Sequence, residues 1–299
     1  MKVAVVGLGN MGGRIAMRLI QSGYDVTVFD ANKTVQQKYA EQGAKISDDL
    51  AILAAQCDVI FTVLPNAQIV KAVVLGQDNH PGLIGGLRPE SIVVDMTTSV
   101  PEITHTLSDL LAEQGVHMLD APVTGGVSKA ESGELTIMVG GQAQILERVK
   151  APLMDLAQTI IHVGGTGAGH TAKALNNLIT ATTLTITAEA MAIGVRMGLD
   201  AGKLLDVINN GSGRSAASEQ KFPAQILSGK FERGFTVALM TKDLGIALGM
   251  GQVNGIPAPV SAAVNELWKA SVCAGLGEED HTAIAQYVEN MADVKLRYV

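Results

Sequence analysis

Along the first half of the chain, short apolar runs alternate with segments whose apolar positions recur every three or four residues. The runs, at 2–6, 25–29, 58–63, 91–95, 117–119 and 135–139, are rich in Val and Ile. They are apolar at nearly every position rather than at every second one, as strands covered on both faces must be. Helical patterns at 11–22, 34–42, 48–56, 67–74 and 101–114 separate most of them. This alternation predicts an α/β domain with a doubly wound, mostly parallel sheet. A further run at 159–163 predicts one more strand. The texture then changes at Gly164-Gly165-Thr166-Gly167-Ala168-Gly169. Beyond it the spacing predicts helices over 170–197, 201–209, 216–228, 237–253, 259–275 and 280–293, ended by Gly198, Gly211, Gly213, Gly255, Pro257 and Gly277. The expected organisation is an α/β domain over 1–164 and an all-helical domain over 165–299, joined by the long helix 170–197.

Composition narrows the function classes. The 299 residues suit two domains, and 47% hydrophobic with 17% charged residues supplies two cores and excludes disorder. Aromatics are 3%, so those cores are expected to be aliphatic. A net charge of -7 argues against nucleic acid or an anionic membrane as partner, since little positive charge is left to neutralise phosphates. Cys57 and Cys273 are too few for a disulfide framework. The apolar run after Lys2 stops at Gly7, too soon for a secretory signal. The apolar stretch at 178–198 is interrupted by five threonines, Glu189 and Arg196, which fits a buried helix better than a membrane span. A cytoplasmic protein is expected. The six histidines show no paired metal-ligand spacing, so no metal site is expected. They read as surface or loop residues, with His170 a candidate to line a pocket.

The most specific local signal opens the chain. Gly7-Leu8-Gly9-Asn10-Met11-Gly12 follows a predicted strand and starts a predicted helix. Gly7 permits the tight turn, Gly9 lets backbone approach a pyrophosphate, and Gly12 lets helix pack on strand. The helix N-terminus then offers N–H groups and partial positive charge to phosphate. The second predicted strand ends in Asp30, 18 residues beyond Gly12. A carboxylate there accepts hydrogen bonds from the adenosine ribose and repels a 2′-phosphate. NAD is therefore the expected cofactor, with NADP as the alternative because Lys33 follows.

Three further segments carry candidate chemistry. Asp120-Ala121-Pro122-Val123-Thr124-Gly125-Gly126 lies at the carboxyl end of a predicted strand, where open α/β sheets bind ligands. Its Thr-Gly-Gly turn would expose a hydroxyl and successive N–H groups, a cradle for a carboxylate. Next comes the glycine-rich turn into helix 170–197. Lys173 and Asn177 are four apart on that helix and share a face. A lysine at the start of an apolar helix is costly unless it has a partner or a task. The third segment is Phe235 followed by Lys242-Asp243, which alone would read as an ordinary surface pair.

Taken together, these segments resemble the β-hydroxyacid dehydrogenase family almost end to end. The resemblance rests on Gly-Leu-Gly-Asn-Met-Gly at 7–12, Leu64-Pro65-Asn66, Asp95-Met96-Thr97-Thr98 with Pro101, the segment from Asp120 to Gly126, Gly169 with Lys173 and Asn177, and Lys242-Asp243. It implies a Rossmann domain followed by a helical domain, and a homodimer or homotetramer. It implies hydride transfer between NAD and a small 3-hydroxy acid or semialdehyde, such as the 3-hydroxyisobutyrate, glycerate or 2-(hydroxymethyl)glutarate type. It implies Lys173 as catalytic acid/base, and Thr124, Gly125, Gly126 and Asn177 as substrate contacts. The same resemblance puts Leu64, Pro65, Asn66, Thr98 and Lys242 at the cofactor, with Phe235 and Asp243 nearby. Two departures bear on substrate. Thr124 stands where many relatives have Ser. The loop at 210–218 lacks a Cys-Trp associated with 3-hydroxyisobutyrate enzymes, which favours a more polar substrate. Rival readings are a dehydrogenase of a 3-hydroxy amino acid, a sulfolactaldehyde reductase, an imine reductase, a 6-phosphogluconate dehydrogenase and a catalytically inactive dinucleotide-binding scaffold. The presence of Lys173 argues against the imine reductase and the scaffold.

Overall fold

The computed structural model describes residues 1–77, 80–232 and 234–298. The chain divides into two compact units, Met1–Lys173 and Ala174–Val299. Among the described residues the first unit holds one sheet of nine strands. These are β1 (Lys2–Val6), β2 (Asp25–Phe29), β3 (Lys45–Ile46), β4 (Val59–Thr62), β5 (Ile92–Asp95), β6 (His117–Asp120), β7 (Val123–Thr124), β8 (Leu135–Gly140) and β9 (Ala157–Gly164). The helices of this unit are α1 (Gly12–Gln21), α2 (Lys33–Ala40), α3 (Leu50–Gln56), α4 (Ala67–Leu75), α5 (Pro101–Ala112), α6 (Gly126–Ser132), α7 (Ala143–Arg148) and α8 (Lys150–Leu156).

The sheet order is β3-β2-β1-β4-β5-β6 and all of these pairs are parallel. This is the doubly wound order, in which the chain leaves β1 in opposite directions for its two halves. β8 then runs antiparallel to β6 and β7, and β9 pairs parallel with β8. Successive residues of β1 enter opposite layers. Val3 and Val5 pack with Ile15 and Leu19 of α1, whereas Ala4 and Val6 pack with Leu53 of α3, Val70 of α4 and Leu107 of α5. Two aliphatic cores therefore sandwich the sheet, which is why its strands read as continuous apolar runs.

α9 (Ala168–Arg196) crosses the division at Lys173. The second unit continues with α10 (Ala201–Asn210), α11 (Val237–Val253), α12 (Pro259–Ser271) and α13 (Ile284–Ala292). Its core gathers Leu184, Ala188 and Met191 of α9 around Phe222, Leu244, Trp268 and Ile284. The Trp268 indole donates to Thr185 Oγ1 at 2.9 Å, which satisfies the largest buried side chain. By length and composition α9 could cross a membrane, but it forms much of this core. Its threonines spend their hydroxyls on carbonyls one turn back, as Thr182, Thr185 and Thr187 do.

Three predicted helices take other forms. Residues 217–226 are wound as a π-helix containing Pro223, which cannot donate to the ordinary ladder. The helix expected over 259–275 stops at Ser271 and continues as a π-turn over 272–276 that includes Gly275 at φ 92°. The one expected over 280–293 opens with a 3-10 turn at 281–283.

Candidate functional site

The phosphate loop stands at the carboxyl end of β1, next to β4, where the strand order reverses. Gly7 has φ 94°, and a Cβ there would fall against the Val63 carbonyl oxygen. A Cβ on Gly12 would strike the Gly7 carbonyl oxygen. The loop is therefore folded tightly against β4 at both ends. At Gly9 nothing lies within 4 Å of where a Cβ would sit, so its outer side is open. α1 then begins with no side-chain cap on Met11 and no acidic residue in its first turn. A capless helix start above an open, glycine-lined loop suits a pyrophosphate.

Asp30 follows β2 and ties this loop to its strand. Its Oδ2 accepts from the Leu8 amide at 2.7 Å and its Oδ1 from the Asn32 amide at 2.8 Å. Lys33, which opens α2, faces Asp48 with Nζ 3.3 Å from Oδ1. Both observations fit a ribose site without a 2′-phosphate.

The ends of β4, β5 and β6 form the rest of the first unit's ligand edge. Asn66 caps α4, its Oδ1 accepting from the Ile69 amide at 3.0 Å. The Leu64 amide donates to Thr97 Oγ1 at 3.0 Å. Fully buried Asp95 accepts from the Thr62 hydroxyl at 2.9 Å and the Thr97 amide at 3.0 Å, so it fixes the turn that carries Thr98. Thr124 lies in β7 opposite Thr136, and Gly125 and Gly126 follow with φ 131° and 74°.

A buried cluster holds the start of α9. Asp120 is fully buried at the end of β6, beside Asp95 in the strand register. Its Oδ1 accepts from the Gly167 amide at 2.8 Å and its Oδ2 from the His170 amide at 2.9 Å. His170, the histidine set apart in the sequence as a candidate to line a pocket, is fully buried. Its Nδ1 is 2.8 Å from Thr104 Oγ1, and its Nε2 is 3.7 Å from Asp95 Oδ2. Lys173 follows one turn later and is 8% exposed.

In the second unit, Asn177, Lys242 and Asp243 come together. The Asn177 amide donates to Asp243 Oδ2 at 2.6 Å, and Lys242 Nζ is 3.3 Å from Asp243 Oδ1. Asp243 is fully buried. Phe235 lies in the turn before α11, its ring edge-on to His281 with centroids 6.0 Å apart. Buried Asp280 braces that turn by accepting from the Gly234 and Phe235 amides at 3.0 and 3.3 Å. Burial works to raise the Asp280 carboxyl, but hydrogen bonding and charge from His281, with the Thr282 hydroxyl and amide, outweigh it and hold the group well below its usual range.

Sequence patterning gives no role to Asp95, Thr104 or Asp280. It reads His281 as a surface or loop residue, whereas that side chain is buried against Phe235 and Asp280. Asp120 and Asp95 are legible as acids closing apolar strands. The pairing of Thr104 with His170 spans 66 residues and leaves no local pattern. Among the described residues no group of three metal-ligating side chains converges, and both cysteines are free.

The sheet order and the open glycine loop at its reversal define a Rossmann-type dinucleotide-binding fold. Comparison with known proteins narrows this. The family model of the NAD binding domain of 6-phosphogluconate dehydrogenase matches residues 2–164. That of the NAD-binding domain of NADP-dependent 3-hydroxyisobutyrate dehydrogenase matches residues 167–288. The chain is 37% identical to 2-(hydroxymethyl)glutarate dehydrogenase of Eubacterium barkeri over 295 residues, 99% of this chain and 97% of that protein. It is 35% identical to L-threonate dehydrogenase of Cupriavidus necator, covering 94% of each. The structure of Mycobacterium tuberculosis 3-hydroxyisobutyrate dehydrogenase with L-serine superposes with a TM-score of 0.88 at 30% identity, covering 96% of this chain and 98% of that one. The chain therefore belongs to the β-hydroxyacid dehydrogenase family, NAD(P)-dependent oxidoreductases that act on small hydroxy acids.

Proposed function

We propose that this protein oxidises a small, polar 3-hydroxy acid with NAD, or reduces the matching semialdehyde, and that Lys173 carries the proton. The observation that supports this most is the burial of Lys173. A lysine 8% exposed on a largely apolar helix has given up most of its hydration. That cost is common at proton-transfer sites and unusual on a surface. Residues 1–164 would hold the cofactor, and 165–299 would supply Asn177 and the oligomer contacts.

In this reading Gly7, Leu8, Gly9, Asn10, Met11 and Gly12 take the pyrophosphate and Asp30 the adenosine ribose. Leu64, Pro65, Asn66, Thr98 and Lys242 would contact the cofactor, with Phe235 and Asp243 nearby, as the family resemblance implies. Bound nicotinamide supplies the hydride acceptor, and the protein supplies position and charge. Thr124, Gly125 and Gly126 hold the substrate carboxylate. In oxidation Lys173 Nζ takes the hydroxyl proton, and in reduction it returns one to the carbonyl oxygen. Asn177, locked by Asp243, orients the reacting carbon. No metal is required by this donor set.

The same reading places the enzyme in the cytoplasm as a homodimer or homotetramer. Leu175, Ile179, Ile186 and Ile193 of α9, with Met197 just after it, leave an apolar stripe exposed, from 45% at Leu175 to 79% at Met197. Their spacing of four and seven keeps them on one helix face. Purified protein assayed against 3-hydroxyisobutyrate, glycerate, 2-(hydroxymethyl)glutarate, threonate, serine and dihydroxypropanesulfonate, each with NAD and NADP, tests the function directly. Turnover of a hydroxy acid bearing a second polar group, with NAD, is expected. Absence of turnover on every member of the panel with both cofactors contradicts the reading.

A further inference from the structure

The start of α9 is built from glycines and has no capping side chain of its own, since Gly167 precedes Ala168. Its cap comes from another part of the chain. Asp120, 47 residues upstream of Gly167, binds the Gly167 and His170 amides with its two carboxylate oxygens. The fit depends on glycine at three places. A Cβ on Gly140 would lie 2.5 Å from Asp120 Oδ1. One on Gly169 would lie 2.6 Å from the carbonyl oxygens of both Asp120 and Met138, and one on Gly167 would lie 3.0 Å from His105 Nε2. The first turn of α9 is thus seated on β6 and β8 at backbone contact distance.

A second anchor grips the same turn by a side chain. The His170 ring lies between Thr104 Oγ1 on α5 and Asp95 at the end of β5. Thr104 Oγ1 also lies 3.3 Å from the Val100 carbonyl, which orients the hydroxyl. The turn is therefore held twice: by its backbone through Asp120, and by an imidazole through Thr104, with the Asp95 carboxylate beside the ring.

We propose that Asp120, His170 and Thr104 are positioning residues for Lys173. This rests on Lys173 being the proton carrier. Lys173 is three residues beyond His170, so any rotation of the first turn swings its long side chain through an arc. Proton transfer tolerates little of this, because reacting atoms must sit about 3 Å apart and in line. Helix stability alone would be served by an ordinary serine or aspartate cap at 167. A buried carboxylate at the end of β6 and an imidazole held by a hydroxyl of α5 instead define one geometry for the turn that carries the lysine.

The test compares Asp120→Asn, His170→Gln, Thr104→Val and Thr104→Ser with the parent and with Lys173→Ala. For each, kcat, KM for the hydroxy acid, NAD affinity and thermal unfolding are measured on one preparation. Thr104→Val keeps shape and removes only the hydroxyl, so it remains informative if Asp120→Asn does not fold. The expected result is a kcat lowered by about tenfold to a hundredfold in Asp120→Asn and Thr104→Val, with KM and NAD affinity within about threefold of the parent. Thr104→Ser, which restores the hydroxyl, should recover most of kcat. A kcat unchanged in the folded Thr104→Val and His170→Gln proteins, while Lys173→Ala is inactive, overturns the positioning role alone. A Lys173→Ala enzyme that keeps its kcat overturns both this proposal and the role on which it rests.

Discussion

At the scale of single residues, groups proposed to meet a ligand stand beside groups that hold other groups still. Asp30 is proposed to do both: its oxygens bind the Leu8 and Asn32 amides, and its place after β2 suits contact with a ribose. Replacing it should therefore change cofactor choice. Asp30→Ser with Ala31→Arg removes the repulsion and adds a phosphate partner. The ratio of kcat/KM for NAD over NADP should fall at least about tenfold, the scale of one charged contact. A parent enzyme about tenfold better with NADP would contradict the assignment. Asp280 is a holding group, and its depressed acidity makes its effect pH-dependent. A carboxylate whose pKa is lowered by folding stabilises the native state above its unfolded value of 3.8, and this contribution is lost as pH falls from there through the lower folded value. Parent protein should lose stability over that window, and Asp280→Asn should start less stable and lose less. Equal slopes in acid titrations followed by circular dichroism would rule out the role.

At the scale of elements, glycine placement decides how closely helix and strand approach. Gly169→Ala puts a methyl within 2.6 Å of two strand carbonyl oxygens. Backbone cannot yield cheaply, so a loss of about 1–3 kcal/mol is expected in denaturant unfolding. Gly245 lies in α11 with nothing within 4 Å of its Cβ position, and Gly245→Ala should instead stabilise by roughly 0.5–1 kcal/mol. Opposite signs for the two alanines are the outcome to look for. Much of this architecture is legible in sequence, because the largely apolar strands β1, β4 and β5 and the glycine loop after β1 each follow from one local rule. The two-residue strands β3 and β7 are not, being too short to carry a period. Helices α6, α7 and α8 fall in a stretch whose short amphipathic pieces give no sustained pattern. The π-wound segment at 217–226 reads as an ordinary helix until Pro223 is placed against its neighbours. Lys173 and Asn177 stand out by spacing and resemblance. The contacts by which Asp120 and Asp243 hold their surroundings span 50 and 66 residues and become visible only in the fold.

At the scale of the whole molecule, two kinds of core carry different duties. The sheet unit buries almost every apolar residue of its central strands, while α9 keeps a row of isoleucines in solvent. Ile179, Ile186 and Ile193 are each more than half exposed. A second copy of the chain would cover them, so light scattering at micromolar concentration should give a dimer or tetramer. Ile186→Asp should shift the population toward monomer, and a parent protein that is monomeric at that concentration would contradict the assembly. The central claim is chemical and is tested most directly by the turnover number of Lys173→Ala on the best hydroxy acid, with NAD binding measured alongside. A proton carrier removed should cost roughly 10²–10⁴-fold in kcat with NAD affinity preserved, and Lys173→Arg should not restore it, since guanidinium does not release its proton. A well-folded Lys173→Ala enzyme turning over within about threefold of the parent, below the least that general acid–base catalysis contributes, would contradict the account.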